Sequence, residues 1–209
     1  MKNAFWSLAL GIGLLSPTIT TGAAQAVSLK LLPAVQTVNV GDSLNIDVEI
    51  SELGDLQSPS LSAFDLNLFF DHTILRFNSF SFGDPSKGDL VGLTENTRTT
   101  DLQTSLGLVS FAEVSLDDAD KLNNIQPASF ILGRANFTAV RVGSSQLTLA
   151  VAVDGLLDEN TTPLLLTGLP TDVYVTVTST QVPEQNFSWL VLGLTMSLGT
   201  TVLKKKIKF

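Results

Sequence analysis

Apolar residues recur at every second position through the middle of this chain, and that spacing commits it to strands. Leu44, Ile46, Val48 and Ile50 alternate with Asn45, Asp47, Glu49 and Ser51. Phe64, Leu66, Leu68 and Phe70 alternate with Asp65, Asn67, Phe69 and Asp71. Leu147, Leu149, Val151 and Val153 share one parity, as do Val173, Val175 and Val177. Ile131, Ala135, Phe137 and Ala139 form another set, with Gly133 between. Successive side chains of an extended chain point to opposite faces, so each set lines one face of a half-buried strand. Residues 27–31, 38–40 and 108–116 are shorter candidates.

One segment breaks phase. Leu75 and Phe77 are odd, whereas Phe80 and Phe82 are even. One extra residue at Asn78-Ser79 keeps all four on one face, which predicts a β-bulge there. Gly41-Asp42, Gly83-Asp84-Pro85, Gly143-Ser144, Asp154-Gly155 and Leu169-Pro170 read as turns between strands. No helical stripe is visible over 27–180, and 83–107 reads as the longest weakly patterned loop. About nine short strands at this spacing predict an all-β, antiparallel β-sandwich.

The two ends read as processing signals. Lys2, the apolar run 4–15 and Ala24-Gln25-Ala26 have the order of an export signal with an A-x-A cleavage site, so the mature chain is expected to begin at Val27. Residues 187–203 contain no charged side chain. As a helix they would span roughly 25 Å, at the short end of a transmembrane segment. Lys204, Lys205, Lys206 and Lys208 follow as a cytoplasmic stop. The expected organisation is a signal peptide (1–26), a β-sandwich (27–180), and a sorting motif, transmembrane helix and basic tail (181–209). Val182-Pro183-Glu184, one apolar span and a basic tail resemble the C-terminal segment of the PEP-CTERM class of sorted surface proteins. The segment departs from that class at Gln185, where a second proline is usual, and in its lysines, where arginines are usual. The resemblance covers residues 182–209 only. It implies an exosortase-like sorting protease as a partner and a place at the surface or in the extracellular matrix of a bacterium.

Composition narrows the chemistry. The chain has no cysteine, so an exported domain must rest on its apolar core, without disulfides or thiol ligands. Residues 27–180 carry 19 Asp/Glu against 7 Lys/Arg, a balance of −12 that the whole-chain figure of −8 conceals. That balance opposes nucleic acid and anionic lipid as partners. No phosphate-binding glycine motif is present.

The strand order adds a second resemblance. Thr37-Val38-Asn39-Val40-Gly41-Asp42-Ser43-Leu44 leads into a strand, followed by the segment 62–71 and by Leu75-Arg76-Phe77. The segment 131–140, then Gly143-Ser144-Ser145-Gln146-Leu147-Thr148-Leu149, completes the pattern. Together these resemble a cohesin domain over nearly all of 27–178. The resemblance implies a nine-stranded sandwich of jelly-roll topology that binds a protein partner, the dockerin module in cellulosomes.

Candidate site residues are few. His72 is the only histidine and falls at a turn between two strands, which leaves a Ser-His-Asp triad or a zinc site little to work with. Glu113 shares its parity with Phe111 and reads as the solvated face of an edge strand, with a recessed glycosidase-type acid as the alternative. Asp117, Asp118 and Asp120 form the densest acidic cluster, read as a solvated turn with calcium ligation as the alternative; Asp84 and Asp89 rank below them. No other cofactor is expected. Both tryptophans, Trp6 and Trp189, lie outside 27–180, which disfavours a glycan platform. Tyr174 and Phe69 fall on outward positions and are the candidate contact residues. The expected function is a non-catalytic surface module for binding or scaffolding, its partner a surface protein. An extracellular polysaccharide is the alternative partner, and a glycoside hydrolase-like enzyme the least favoured reading.

Overall fold

The computed structural model describes residues 26–179. Ala24, the Val182-Pro183-Glu184 motif, residues 187–203 and the four stop lysines lie outside the described residues. Ala26 and Val27, at the expected cleavage junction, open the first strand.

In chain order the strands are β1 (Ala26–Leu32), β2 (Val35–Asn39), β3 (Ser43–Ser51), β4 (Leu61–Phe69), β5 (Leu75–Phe82) and β6 (Asn96–Gln103). There follow β7 (Leu108–Ser115), the helix α1 (Ala119–Ile125), β8 (Ser129–Ala139), β9 (Gly143–Asp158), β10 (Leu165–Leu166) and β11 (Val173–Thr178). They build two sheets, β10-β1-β3-β8-β5 and β2-β11-β9-β4-β7-β6. Pairing is antiparallel except for β1 with β10 and β2 with β11, which run parallel. The expected all-β sandwich is the observed architecture.

The alternating residues meet between the sheets. Leu44, Ile46, Val48 and Ile50 of β3 are buried, as are Phe64, Leu66 and Leu68 of β4 and Val109 and Phe111 of β7. Aromatic rings close the side of the sandwich where β5 and β7 face each other. The Phe80 ring stacks on Phe111 with centroids 4.0 Å apart, and Phe82 lies 6.1 Å from Phe64. The expected bulge in β5 is present: Phe77 pairs with Phe137 and Ser79 with Asn136, which leaves Asn78 as the extra residue. The Asn78 amide donates to Asn136 Oδ1 (2.7 Å) and Thr138 Oγ1 (2.9 Å), fixing the bulged residue to the outward face.

Several sequence expectations change. Ile131 does not share a face with Ala135. The β3–β8 register shifts where Val48 pairs with Gly133 and Glu49 with Ile131. Leu132 is the inserted residue, so Phe130 and Leu132 point inward before the shift, and Ala135, Phe137 and Ala139 after it. Val153 is 94% exposed rather than in the core, because residues 152–155 of β9 bow out opposite Asp65, between the pairs Leu66–Val151 and Phe64–Leu156. Asp154-Gly155 is the crest of that bow inside one strand, not a turn between two. The loop 83–107 contains β6, and β10 is a further short strand, so eleven strands form where about nine were expected. Finally, α1 contributes a single buried side chain, Leu122, too little to print a helical stripe. No helix among the described residues is long and apolar enough to cross a membrane.

Gly133 is fixed by its neighbours. A Cβ there would lie 2.7 Å from the Ser81 carbonyl oxygen and would also run into the Phe80 ring. Gly133→Ala is therefore expected to cost about 2 kcal/mol, the usual scale of overpacking. Urea unfolding would measure it; a change below about 0.5 kcal/mol would show that β5 shifts away freely.

Candidate functional site

The outward faces of the two sheets differ in kind. On the five-stranded sheet several polar side chains bind one another. Arg134 donates from Nε and Nη2 to the two oxygens of Asp47 (2.5 and 2.8 Å). Asn136 donates to Asn45 Oδ1 at 2.8 Å and accepts from Asn78. Lys30 of β1 and Arg76 of β5 also stand exposed on this face, so it carries cations beside its matched polar pairs.

The six-stranded sheet presents the opposite character. Phe69 of β4 is 41% exposed and Tyr174 of β11 is 47% exposed. Phe69 pairs with Thr148 and Tyr174 with Gln146, so the two candidate contact residues stand on the same face, on either side of β9. Two strand spacings, about 10 Å, separate them across the sheet. Between them Gln146 Nε2 and Thr148 Oγ1 both donate to the Asp172 carboxylate (2.5 and 2.8 Å). Towards β6 the face continues through Asn67, Ser110 and Asp101, with Val114 47% exposed near its far edge. No Lys or Arg occupies an outward position on these six strands. The result is a face of mixed apolar and hydroxyl character with carboxylates and no cation.

Glu113 is not on that face. It points inward from β7 beside Phe111 and is completely buried, because β6 covers β7 and makes it an interior strand. Arg98, directly opposite on β6, donates from Nε to Glu113 Oε1 at 2.8 Å. The same guanidinium pairs with Asp89 and lies over the Phe82 ring, 5.1 Å from its centroid. Asp89 Oδ1 in turn accepts the backbone N–H groups of Val91 and Gly92 (2.9 and 3.0 Å). Glu113 Oε2 has no hydrogen-bond partner. Burial pushes the Glu113 carboxyl above its ordinary range, and Arg98 offsets part of that rise. A glycosidase needs open space for a sugar between its two acids. Here an arginine fills that space, so the pair is neutralised rather than presented to a substrate.

The acidic cluster also differs from its expectation as a solvated turn. The Asp117 side chain is only 4% exposed; it accepts from Thr94 N–H at 3.0 Å and from Lys121 Nζ at 2.6 Å. Burial raises its pKa, but these bonds outweigh burial and hold it at about 2. Asp118 is the N-cap residue of α1 and Asp120 lies in its first turn, both exposed. Among the described residues no three His, Asp or Glu side chains converge on a position that would hold a metal ion. His72 sits in the turn 71–74, as read from the sequence. Three surface clefts of about 250, 270 and 250 Å³ lie beside Leu164, His72 and Asp117. They fall short of the roughly 300 Å³ at which small-molecule sites begin.

Solved structures similar to this one include cohesins. One is the OlpC cohesin of a type I cohesin–dockerin complex from Clostridium thermocellum, with a TM-score of 0.58 and 12% identity over 76% of this chain and 97% of that one. The fold is cohesin-like. A type II cohesin from the Acetivibrio cellulolyticus cellulosome is similar at a TM-score of 0.55 and 15% identity, covering 72% of this chain and 95% of that one. The OlpA cohesin of a second C. thermocellum complex gives 0.56 and 9%, over 73% and 99%. No family model matches the sequence, and no curated protein does. At these identities the likeness is one of cohesin-like fold. Phe69 and Tyr174 were legible as outward residues; the Arg98 bridge was not, because it comes from a strand with no apolar alternation.

Proposed function

We propose that the sandwich is a non-catalytic protein-binding module, exported and tethered to a membrane by residues 187–203, with a scaffolding role at the cell surface. The observation that carries the binding reading is the six-stranded face, where Phe69 and Tyr174 stand exposed around the Gln146–Asp172–Thr148 cluster. Sheet faces with a few large side chains among small polar ones suit protein partners, and binding energy concentrates in such anchors. The absence of a cation on the face favours a partner with a basic surface. Two of the similar structures are cohesins in complex with dockerins, which supports a proteinaceous partner. Membrane tethering is supported by the uncharged run 187–203 and the lysines after it. Processing by an exosortase-like protease is supported by Val182-Pro183-Glu184 alone.

The test is capture of surface extract from the source cell by immobilised protein, with the extract pretreated by protease or by glycosidase. Loss of capture after protease, together with a roughly tenfold weakening in Phe69→Ala and in Tyr174→Ala, is the expected outcome; tenfold corresponds to about 1.4 kcal/mol. Loss only after glycosidase would replace the protein partner with a polysaccharide. Unchanged capture by both variants would move the contact to another face.

A further inference from the structure

We propose that the end of the sandwich where the chain leaves β11 rests on the surface of a phospholipid bilayer. The inference depends on residues 187–203 being a membrane anchor, and it adds which part of the domain meets the lipid.

Backbone bonds gather four turns around that exit. Val40 N–H donates to the Thr178 carbonyl (3.0 Å), Gly41 to Ala139 (2.8 Å), Val140 to Ile74 (2.8 Å) and Phe70 to Gly107 (2.8 Å). Arg141 Nη2 donates to Thr73 Oγ1 at 2.8 Å, which ties two of the turns together through side chains. The tips of this end are apolar: Leu106 is 66% exposed, Val142 54% and Val140 39%. Arg141 stands among them. The two carboxylates of these turns are engaged locally, Asp42 with the Asn39 N–H at 2.8 Å and Asp71 with Thr73. Exposed aliphatic tips around an arginine suit the boundary between headgroups and acyl chains.

The opposite end has a different charge. Its connecting segments 52–60, 83–95, 116–128 and 159–164 carry nine carboxylates against two lysines. The exit-end segments 40–42, 70–74, 104–107 and 140–142 carry two carboxylates and one arginine, besides His72. The acidic balance of the domain therefore opposes a membrane mainly at the end remote from the exit. An anionic surface turns that end outward. Chain length keeps the apolar tips within reach. Eight residues, 179–186, separate the end of β11 from the apolar run, an extended length of at most about 29 Å. That tether holds the tips at a high effective concentration near the interface.

The absence of cysteine permits a direct test. Full-length chains carrying Val142→Cys at the exit end or Asp120→Cys on α1 are labelled with one fluorophore and reconstituted into vesicles of phosphatidylcholine and phosphatidylglycerol. A fraction of the lipid carries a quencher at headgroup depth. The expected result is quenching at Val142 at least threefold greater than at Asp120, reduced to parity when Leu106 and Val140 are both changed to Asp. Equal quenching at the two labels in chains that float with the vesicles overturns the inference and leaves the anchor standing. Failure to float overturns the anchor and the inference with it. Self-quenching of the Val142 label in quencher-free vesicles, abolished by unlabelled chain, would assign the patch to a second copy and overturn the lipid contact.

Discussion

Replacing Phe111 by alanine is expected to lower the unfolding free energy by about 4 kcal/mol. Phe111 is completely buried on β7 and meets aromatic rings from both sheets. The Phe80 ring of β5 stacks on it at a tilt of 16°, and Phe64 of β4 meets it edge-on at 6.5 Å. Neither neighbour can move in to fill the void at low cost. Phe80 is also pinned against Gly133, and Phe64 continues into the Phe82 contact. The loss therefore combines transfer of a large ring with a cavity that survives. For a domain of this size the melting temperature should fall by about 8–16 °C. Phe111→Leu, which keeps most of the volume, should cost less than half as much. A loss below about 1 kcal/mol in the alanine variant, by urea unfolding, would mean that the stack does not seal this side of the sandwich.

Arg98→Ala should cost about 3 kcal/mol at neutral pH and above, and less as the pH falls. The Arg98 side chain is 36% exposed, which places the loss at the low end for breaking a buried ion pair. What makes it costly is the group left behind: Glu113 is fully buried, and Oε2 already has no hydrogen-bond partner. Burial raises the Glu113 pKa in the folded state above its value in the unfolded chain. A carboxyl raised on folding binds its proton more tightly when folded. The associated stability is therefore full at pH values below the unfolded pKa and is lost as the pH rises through the folded one. Removing Arg98 removes the cation that limits the rise, so the variant's deficit should be largest at pH 8 and shrink towards pH 4. Glu113→Leu should be neutral or stabilising at pH 8, because it removes a buried charge while Arg98 keeps Asp89. Unfolding curves for both variants across this pH range decide the matter; a pH-independent deficit in Arg98→Ala would assign the loss to the Phe82 contact instead.

The strands that were legible are those that bury one face. Leu44 to Ile50 and Phe64 to Phe70 announce their parity without interruption, and the phase break between Phe77 and Phe80 located the bulge at Asn78. The second bulge was hidden by glycine. Phe130 and Leu132 are even and Ala135 and Phe137 odd, the same kind of signal, but Gly133 continues the odd series without a side chain to reveal which face it takes. β6 left no trace for a different reason. It is an edge strand with almost every residue exposed, and its Asn-Thr-Arg-Thr-Thr-Asp sequence needs no apolar parity. Missing β6 also misplaced Glu113, since only a strand beyond β7 supplies Arg98 and turns an edge position into an interior one. Phe69 and Tyr174 could be placed outward from parity alone, whereas their position on one face depended on β9 pairing with both β4 and β11.

The parallel pairing of β2 with β11 has a mechanical consequence. Five registered pairs, from Val35–Tyr174 to Asn39–Thr178, join these strands, and β11 is bonded on its other side to β9. A pulling force on Thr178 along the strand axis loads both ladders in shear, so their bonds must yield together rather than one at a time from an end. Unfolding under tension is set by the rate of that cooperative rupture. A domain held at its C-terminal end and pulled through a partner on the six-stranded face thus meets the load with its last strand clamped on both edges.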